Sequence, residues 1–475
     1  MTSKLIPTML AGALLGACAA GPDYVAPEVS SAAQAPFVSA PPGTAAGAEP
    51  DAHWWRLYDD PALEALVTQA LAANTDLRAA AANLRAADAV LAEARNARLP
   101  QTTLSAGGTY GRNQAPFFLP GDQTGFTGGL QVAYEADLFG RVSRSIQASR
   151  ADVQAQAFAE GAVRVRVVAA VAEAYLAACS TAEAIGAAQA SIDLAADSAR
   201  IVGRQASAGS AAGLDVVRAE GQLAQARAAL PPLQTARQAA LFELAALLGR
   251  PPTQVPDSAA RCGSPPEPHR PIVVGDGAGL LRRRPDVAEA ERRLAAATTR
   301  VGVATADLYP RVSIAASVTQ AGGEDIRGDR GFGYGIGPLL SFSFPNLGVA
   351  RARVRQAEGR AQVALATFDG VVLNALKETE QALDAYGAAT RRRAELVEAE
   401  ARAGQAFDLA SLRHRSGSIA YVDVIVAQGD LLATRLSRTD ADRQLASARV
   451  GVFRALGGGW ESSAPVTDSN VLQTQ

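Results

Sequence analysis

Lysine is nearly missing from this chain. It occurs only at Lys4 and Lys377, so almost all of the basic charge is arginine. Histidine is also scarce. His53, His269 and His414 lie far apart in sequence without metal-ligand spacing, so no metal site is expected. Neither a GxxxxGKS/T phosphate loop nor a GxSxG nucleophile motif occurs. The glycine-rich GFGYGIG, Gly331 to Gly337, leads into a strand instead of joining a strand to a helix, so it is no nucleotide cradle. An enzyme is therefore not expected, and neither is a cofactor. Charge of one sign is missing as well. The 45 Lys and Arg nearly balance 47 Asp and Glu, which argues against a nucleic-acid partner. No apolar run is long enough for a bilayer-spanning helix; the stretch Leu5 to Ala17 is too short.

That stretch follows Lys4 and ends in LGAC, Leu15 to Cys18. The pattern resembles the bacterial lipobox. It implies a signal peptide over residues 1–17 and a mature Cys18 carrying a thioether-linked diacylglycerol and an N-acyl chain. Ala19 and Ala20 follow instead of aspartate, which by analogy with lipoprotein sorting favours the outer membrane. Residues 18–52, rich in Pro, Ala and Gly, read as a lipid-anchored extended tether. Two cysteines remain, Cys179 in a helical stretch and Cys262 in a Pro-rich connection. An oxidising periplasm permits a disulfide. Two lone cysteines at this separation do not establish one, and two free thiols are the plainer reading.

The chain contains an internal copy. SAGSAAGLDVVRAEGQLAQAR, Ser207 to Arg227, aligns without gaps with RSGSIAYVDVIVAQGDLLATR, Arg415 to Arg435, at an offset of 208 residues. A period that long marks a duplicated unit and not a short solenoid. Each copy is a Gly-Ser turn between Ala-rich helical stretches, with Asp215 and Asp423 just after the turns. Helical sequence begins at Asp59-Asp60-Pro61, an acidic cap with Pro in the first turn, with a candidate break near Asn74. It ends at Leu99-Pro100, matched by Tyr309-Pro310. Period-two alternation follows each junction, as in Leu130, Val132, Tyr134, Ala136, Leu138 and again in Ile336, Pro338, Leu340, Phe342, Phe344. The expected organisation is a first repeat over 53–262, with a β-hairpin about 101–139 and a helical-hairpin tip about 205–215. A linker over 263–284 follows. A second repeat covers 285–457, with a hairpin about 311–345 and a tip about 414–423, and a tail covers 458–475.

From about Arg141 to Gln205 proline is absent and the helical pattern is unbroken. Some 65 residues at 1.5 Å each make a helix of roughly 100 Å. Arg351 to about Ser416 is similar. Helices this long need partners along their length. Four strands with one apolar face are too few to close a barrel around water, whereas three chains supply twelve. The expected fold is mixed α and β: an internally duplicated protomer of a trimeric, 12-stranded outer-membrane β-barrel continuous with a long periplasmic α-helical barrel.

Five segments carry a family resemblance: GPDYVAP (Gly21 to Pro27), WWRLYDDPALEALVTQAL (Trp54 to Leu71), YEADLFGR (Tyr134 to Arg141), LLRRRPDVAEAERRLAAA (Leu280 to Ala297) and ADLYPRVSI (Ala306 to Ile314). In this order they resemble the TolC/OprM family of outer-membrane efflux channels, lipoprotein branch. The resemblance implies a homotrimer in outer-membrane lipid and an equatorial collar built around residues 250–280 plus the terminal segments. It also implies a periplasmic adaptor and an inner-membrane transporter of the RND type as partners, with passive exit of small molecules. A protein-secretion duct is the alternative function. A lipid-anchored coiled-coil spacer without a pore would not need the four strands.

The resemblance further implies that Asp215 and Asp423 ring the periplasmic gate, where six carboxylates in a trimer would favour cations and raise each other's pKa. The bland alternative is that each aspartate caps the helix leaving its turn. Val426 stands where many members have a second acid, and His414 and Ile419 replace a Tyr and an Arg of the family's closed-state latch. Tyr421 is an aromatic candidate beside them. Trp54 and Trp55 are expected in the collar and not at a ligand.

Overall fold

The computed structural model describes residues 20–42, 44, 50–112, 122–323, 328–342, 344–345 and 347–460. Cys18 and the signal segment 1–17 lie outside the described residues, as does 461–475 of the tail. A 3-10 turn at Trp54–Tyr58 precedes helices α1 (Pro61–Ala73) and α2 (Thr75–Asn96) and strands β1 (Gln101–Gly111) and β2 (Gln123–Ala136). Helix α3 (Arg141–Ser207) is followed by α4 (Gly213–Ala228) and α5 (Leu230–Leu247), and a connector carries α6 (Asp257–Ala260) and α7 (Gly277–Arg283). The order then repeats as α8 (Pro285–Ala306), β3 (Arg311–Gly323), β4 (Phe332–Ser341), α9 (Gly348–Arg415) and α10 (Tyr421–Ala455).

Local chemistry sets the boundaries. The Asp60 carboxylate accepts from the amides of Ala62 and Leu63, and Pro61 occupies the first turn, where no amide is needed. Asn74 interrupts the helix as anticipated. Its side-chain oxygen caps α2 at Asp76 and Leu77, while its amide donates to the Leu247 carbonyl. Asp137 starts α3 by accepting from Val142 and Ser143. The return arm of the first repeat is not a single helix. Leu230-Pro231-Pro232 opens a new helix, because two prolines supply no amide to the preceding turn. The matching arm of the second repeat, α10, is unbroken over 35 residues.

The described chain divides into two compact units. Of the described residues, the first comprises those within 20–28, 82–157 and 289–370. Its sheet runs β1-β2-β3-β4, antiparallel throughout, with β1 and β4 as free edges. The register joins even residues to even across all three pairs: Leu104 to Leu130, Leu130 to Val318 and Val318 to Tyr334. Side chains alternate faces along a strand, so every apolar position singled out by alternation within the strands lies on one face. That face is bare: Leu104, Tyr334 and Ile336 are each about four-fifths exposed. The strands end sooner than the alternation suggested. Leu138, Phe342 and Phe344 fall beyond Ala136 and Ser341, because helix α3 is capped from Asp137 and Phe344 is followed by Pro345.

The N-terminal segment of this unit is stitched down and is not a free tether. The Ala20 amide donates to Phe139, Asp23 pairs with the buried Arg144 at 2.7 Å, and Tyr24 donates to Glu291 with Arg292 over its ring. Gly21, at φ 86°, crosses Gly302 so closely that a Cβ would lie 2.3 Å from the Gly302 Cα.

The second unit comprises the described residues within 29–81, 158–288 and 371–460 and holds the main apolar core. Trp54 is fully buried and stacks on Phe453 at 4.5 Å, with Tyr58, Leu63, Leu244 and Leu383 around them. Trp54 and Trp55 are thus both core residues. Cys179 and Cys262 are joined in a disulfide, closing a separation of 83 residues and tying α3 to the connector. Arg284 holds the end of α10. It donates to the Ala455 carbonyl and pairs with Asp286 and Glu378, while Arg283 donates to the Leu456 carbonyl.

Candidate functional site at the hairpin tips

The two turns are built alike. In the first, the Gly209 amide donates to Ala206 and both the amide and hydroxyl of Ser210 reach the Gln205 carbonyl. In the second, Gly417 donates to His414 and Ser418 reaches Arg413 in the same two ways. This is a Schellman end, which needs a left-handed residue; Gly209 (φ 73°) and Gly417 (φ 76°) supply it. The copied Gly-Ser pair therefore has a structural cause at both tips.

Helices α4 and α10 then begin on Ala212 and Ala420, neither of which makes a side-chain cap. Asp215 and Asp423 sit three residues further, inside the first turn, so the capping alternative is not realised. Each instead places negative charge at the positive end of a helix dipole. Their surroundings differ. Asp215 is half-buried with Arg218 at 3.9 Å, whereas Asp423 is exposed. The residue three on from Asp423 is Val426, which aligns with Arg218 in the repeat and is itself exposed.

A small apolar cluster draws both tips together. Val202 of α3, Ala219 of α4 and Tyr421, Val424 and Ile425 of α10 pack with Phe407 of α9. Hydrogen bonds cross the same seam: Gln222 donates to the Ile425 carbonyl and the Ser198 hydroxyl to Gln428, each at 2.9 Å. Tyr421 is buried, edge-on to His414 at 5.2 Å, and the His414 ring lies 3.3 Å from the Ile419 carbonyl. Burial pushes the Tyr421 phenol above its ordinary pKa, and the Asp215 carboxylate adds to that. The helices that carry Asp215 and Asp423 therefore meet at one cluster, in which Tyr421 of α10 packs with Ala219 of α4.

Further along the same helices an arginine hub escaped the sequence reading. Arg438 of α10 meets Glu400 of α9 at 2.6 Å, Asp442 at 2.7 Å and Glu183 of α3 at 3.5 Å. Arg393 shares Asp442, and Arg435 shares Glu400. Only the four-residue spacing of Arg438 and Asp442 was visible in sequence. The carboxylates contributed from α3 and α9 are remote in the chain.

Among the described residues no group of His, Cys, Asp or Glu could hold a metal ion, and no helix is long and apolar enough to cross a membrane. A family profile described as "Outer membrane efflux protein" matches residues 66–250 and 279–458. The pyoverdine export outer membrane protein OpmQ of Pseudomonas aeruginosa is 30% identical over 97% of this chain and 98% of its own length. The toluene efflux pump outer membrane protein TtgI of Pseudomonas putida is 30% identical over 98% and 100%. Among solved structures, the outer-membrane channel OprN superposes with a TM-score of 0.86 at 33% identity, covering 93% of this chain and all of the other. The open state of the MtrE channel of Neisseria gonorrhoeae shares the fold, with a TM-score of 0.80 at 24% identity over 93% of this chain and 98% of its own. The fold, the matched profile and full-length relatives agree: this chain belongs to the outer membrane efflux protein family.

Proposed function

We propose that three copies of this chain close their sheets into one twelve-stranded barrel that serves as the outer-membrane exit duct of a tripartite efflux system. The chain is an outer-membrane channel component and not an enzyme. The single observation that carries the reading is the sheet. Its even-numbered face is mostly apolar, with Leu104, Leu130, Val318, Tyr334, Ile336 and Leu340 exposed, and both edge strands present unpaired backbone groups. In hydrocarbon no such edge is tolerated, so closure is required. Strands β1 and β4 run in opposite directions, so β4 of one copy extends β1 of the next without breaking the alternation. Cyclic symmetry about the barrel axis then follows.

In this reading acyl chains on Cys18 anchor the mature N-terminus. Asp215 and Asp423 from three copies line the periplasmic gate, and the hairpin tips face a periplasmic adaptor coupled to an inner-membrane RND-type transporter. Relatives of similar identity are named for exporting pyoverdine or toluene. Cargoes so unlike chemically favour small molecules passing a duct that does not itself choose among them.

The test is reconstitution of the purified full-length protein. A heat-resistant trimer that forms conducting channels in planar bilayers is expected. A monomer that inserts without conductance would overturn the proposal.

A further inference from the structure

We infer that the β-lined part of the duct is charge-blind: a hydroxyl- and amide-lined passage for polar solutes of either sign, so that any charge preference of the channel arises outside the strands. The inference rests on the barrel reading above and concerns the face of the sheet that this reading turns to the lumen.

The argument is the odd-numbered register. Thr103, Gln131 and Ser317 share one row across the sheet, and Ser105 and Thr319 share the next. Glycines fill the remaining positions of both rows, Gly335 in one, Gly129 and Gly333 in the other. Only two charged residues occur in all four strands, Glu135 and Arg311. Both stand at strand ends and both are neutralised locally. Arg141 holds Glu135 through two hydrogen bonds, and Asp307 pairs with Arg311. At the opposite strand ends, Arg112 and Asp122 also pair with each other, at 2.9 Å. Pores that select ions do so with rings of like charge. A threefold copy of these rows is a ring of hydroxyls, amides and bare backbone, with no net charge to focus a field. Weak hydroxyl contacts to the sheet itself, such as Thr319 to the Gly333 carbonyl at 3.5 Å, leave those oxygens able to exchange hydrogen bonds with a passing solute.

The test places single thiols in the wall. Ser317→Cys and Val318→Cys are introduced separately into the full-length protein in outer-membrane vesicles. Each is treated from outside with a cationic and an anionic thiosulfonate of equal size. The wild-type chain, whose Cys179 and Cys262 are bonded to each other, gives the background. Ser317→Cys should react with both reagents, at a rate ratio within about twofold of that measured on a free thiol in solution, and Val318→Cys should react with neither. A charged lumen raises the local concentration of one sign by roughly tenfold or more. A ratio skewed about tenfold either way would therefore overturn the inference while leaving the barrel intact. Reaction at Val318→Cys with none at Ser317→Cys would instead overturn the assignment of faces, and with it the barrel reading on which the inference stands.

Discussion

The two repeats share a plan and differ in how each is held. Their turns share the same backbone hydrogen bonds, and the hydroxyls of Ser210 and Ser418 both reach the carbonyls five residues back. Their return arms do not match. The first breaks at Pro231-Pro232 and its outgoing helix is stapled to the connector by Cys179–Cys262. The second is one helix, held at its end by Arg283 and Arg284 and along its side by the Arg438 hub. Turn chemistry is a local constraint and tolerates little change. The means of fixing a long helix are interchangeable, so covalent closure in one repeat does the work of ion pairs in the other.

The disulfide tests this division most severely. Closing 83 residues is worth about 4–5 kcal/mol through the unfolded chain. Cys179→Ser with Cys262→Ser should lower the thermal unfolding midpoint strongly, and a reductant should reproduce the loss in the wild type but add nothing to the double variant. Circular dichroism with and without reductant decides it. An additional loss in the double variant would show that the staple is not the link responsible.

Where the repeats meet in the sheet they should behave identically. Leu130 of the first faces Val318 of the second in register. Arginine at either position places charge on the lipid face, at roughly 2–4 kcal/mol near the bilayer midplane. Leu130→Arg and Val318→Arg should each abolish most heat-resistant trimer on gels, while Gln131→Arg, one residue on, should leave it. Unequal losses at 130 and 318 would mean that the two hairpins are not equivalent in the membrane.

The hub is a smaller test and points the other way. Arg438→Gln removes the ion pair of Glu183 and leaves Asp442 to Arg393 and Glu400 to Arg435, each carboxylate only partly exposed. The expected loss is about 1–2 kcal/mol after allowing for solvent screening, and it should show as faster amide exchange in α10 than in α5. Uniform exchange across both return arms would remove the hub from the account.

The tips give the finest comparison, read as selectivity and not stability. Arg218 offsets part of the Asp215 charge, whereas Asp423 stands opposite Val426. If both line the gate, Asp423→Asn should reduce cation preference in single-channel recordings more than Asp215→Asn does. Val426→Arg, which installs the first repeat's pair in the second, should match Asp423→Asn. Equal effects from the two asparagine variants would place the constriction elsewhere.

Much of this protein was legible in its sequence because the informative signals are local or periodic. The Gly-Ser turns and the Asp60-Pro61 cap are set by residues a few positions apart, and sequence shows such spacing directly. The alternation from Leu130 to Ala136 fixed which side chains share a face, since strand geometry leaves no choice once the chain is extended. Duplication was visible because the 208-residue offset survives in the chain itself. The pairing of Cys179 with Cys262, the seating of Tyr421 beside His414 and near Asp215, the gathering of three carboxylates on Arg438 and the docking of the N-terminal segment at Gly302 were decided only by the tertiary structure. Apart from Tyr421 with His414 and Arg438 with Asp442, these contacts join residues tens to hundreds of positions apart. Their proximity depends on how long helices lie against one another, and helix periodicity reports which face is apolar without naming the partner that covers it.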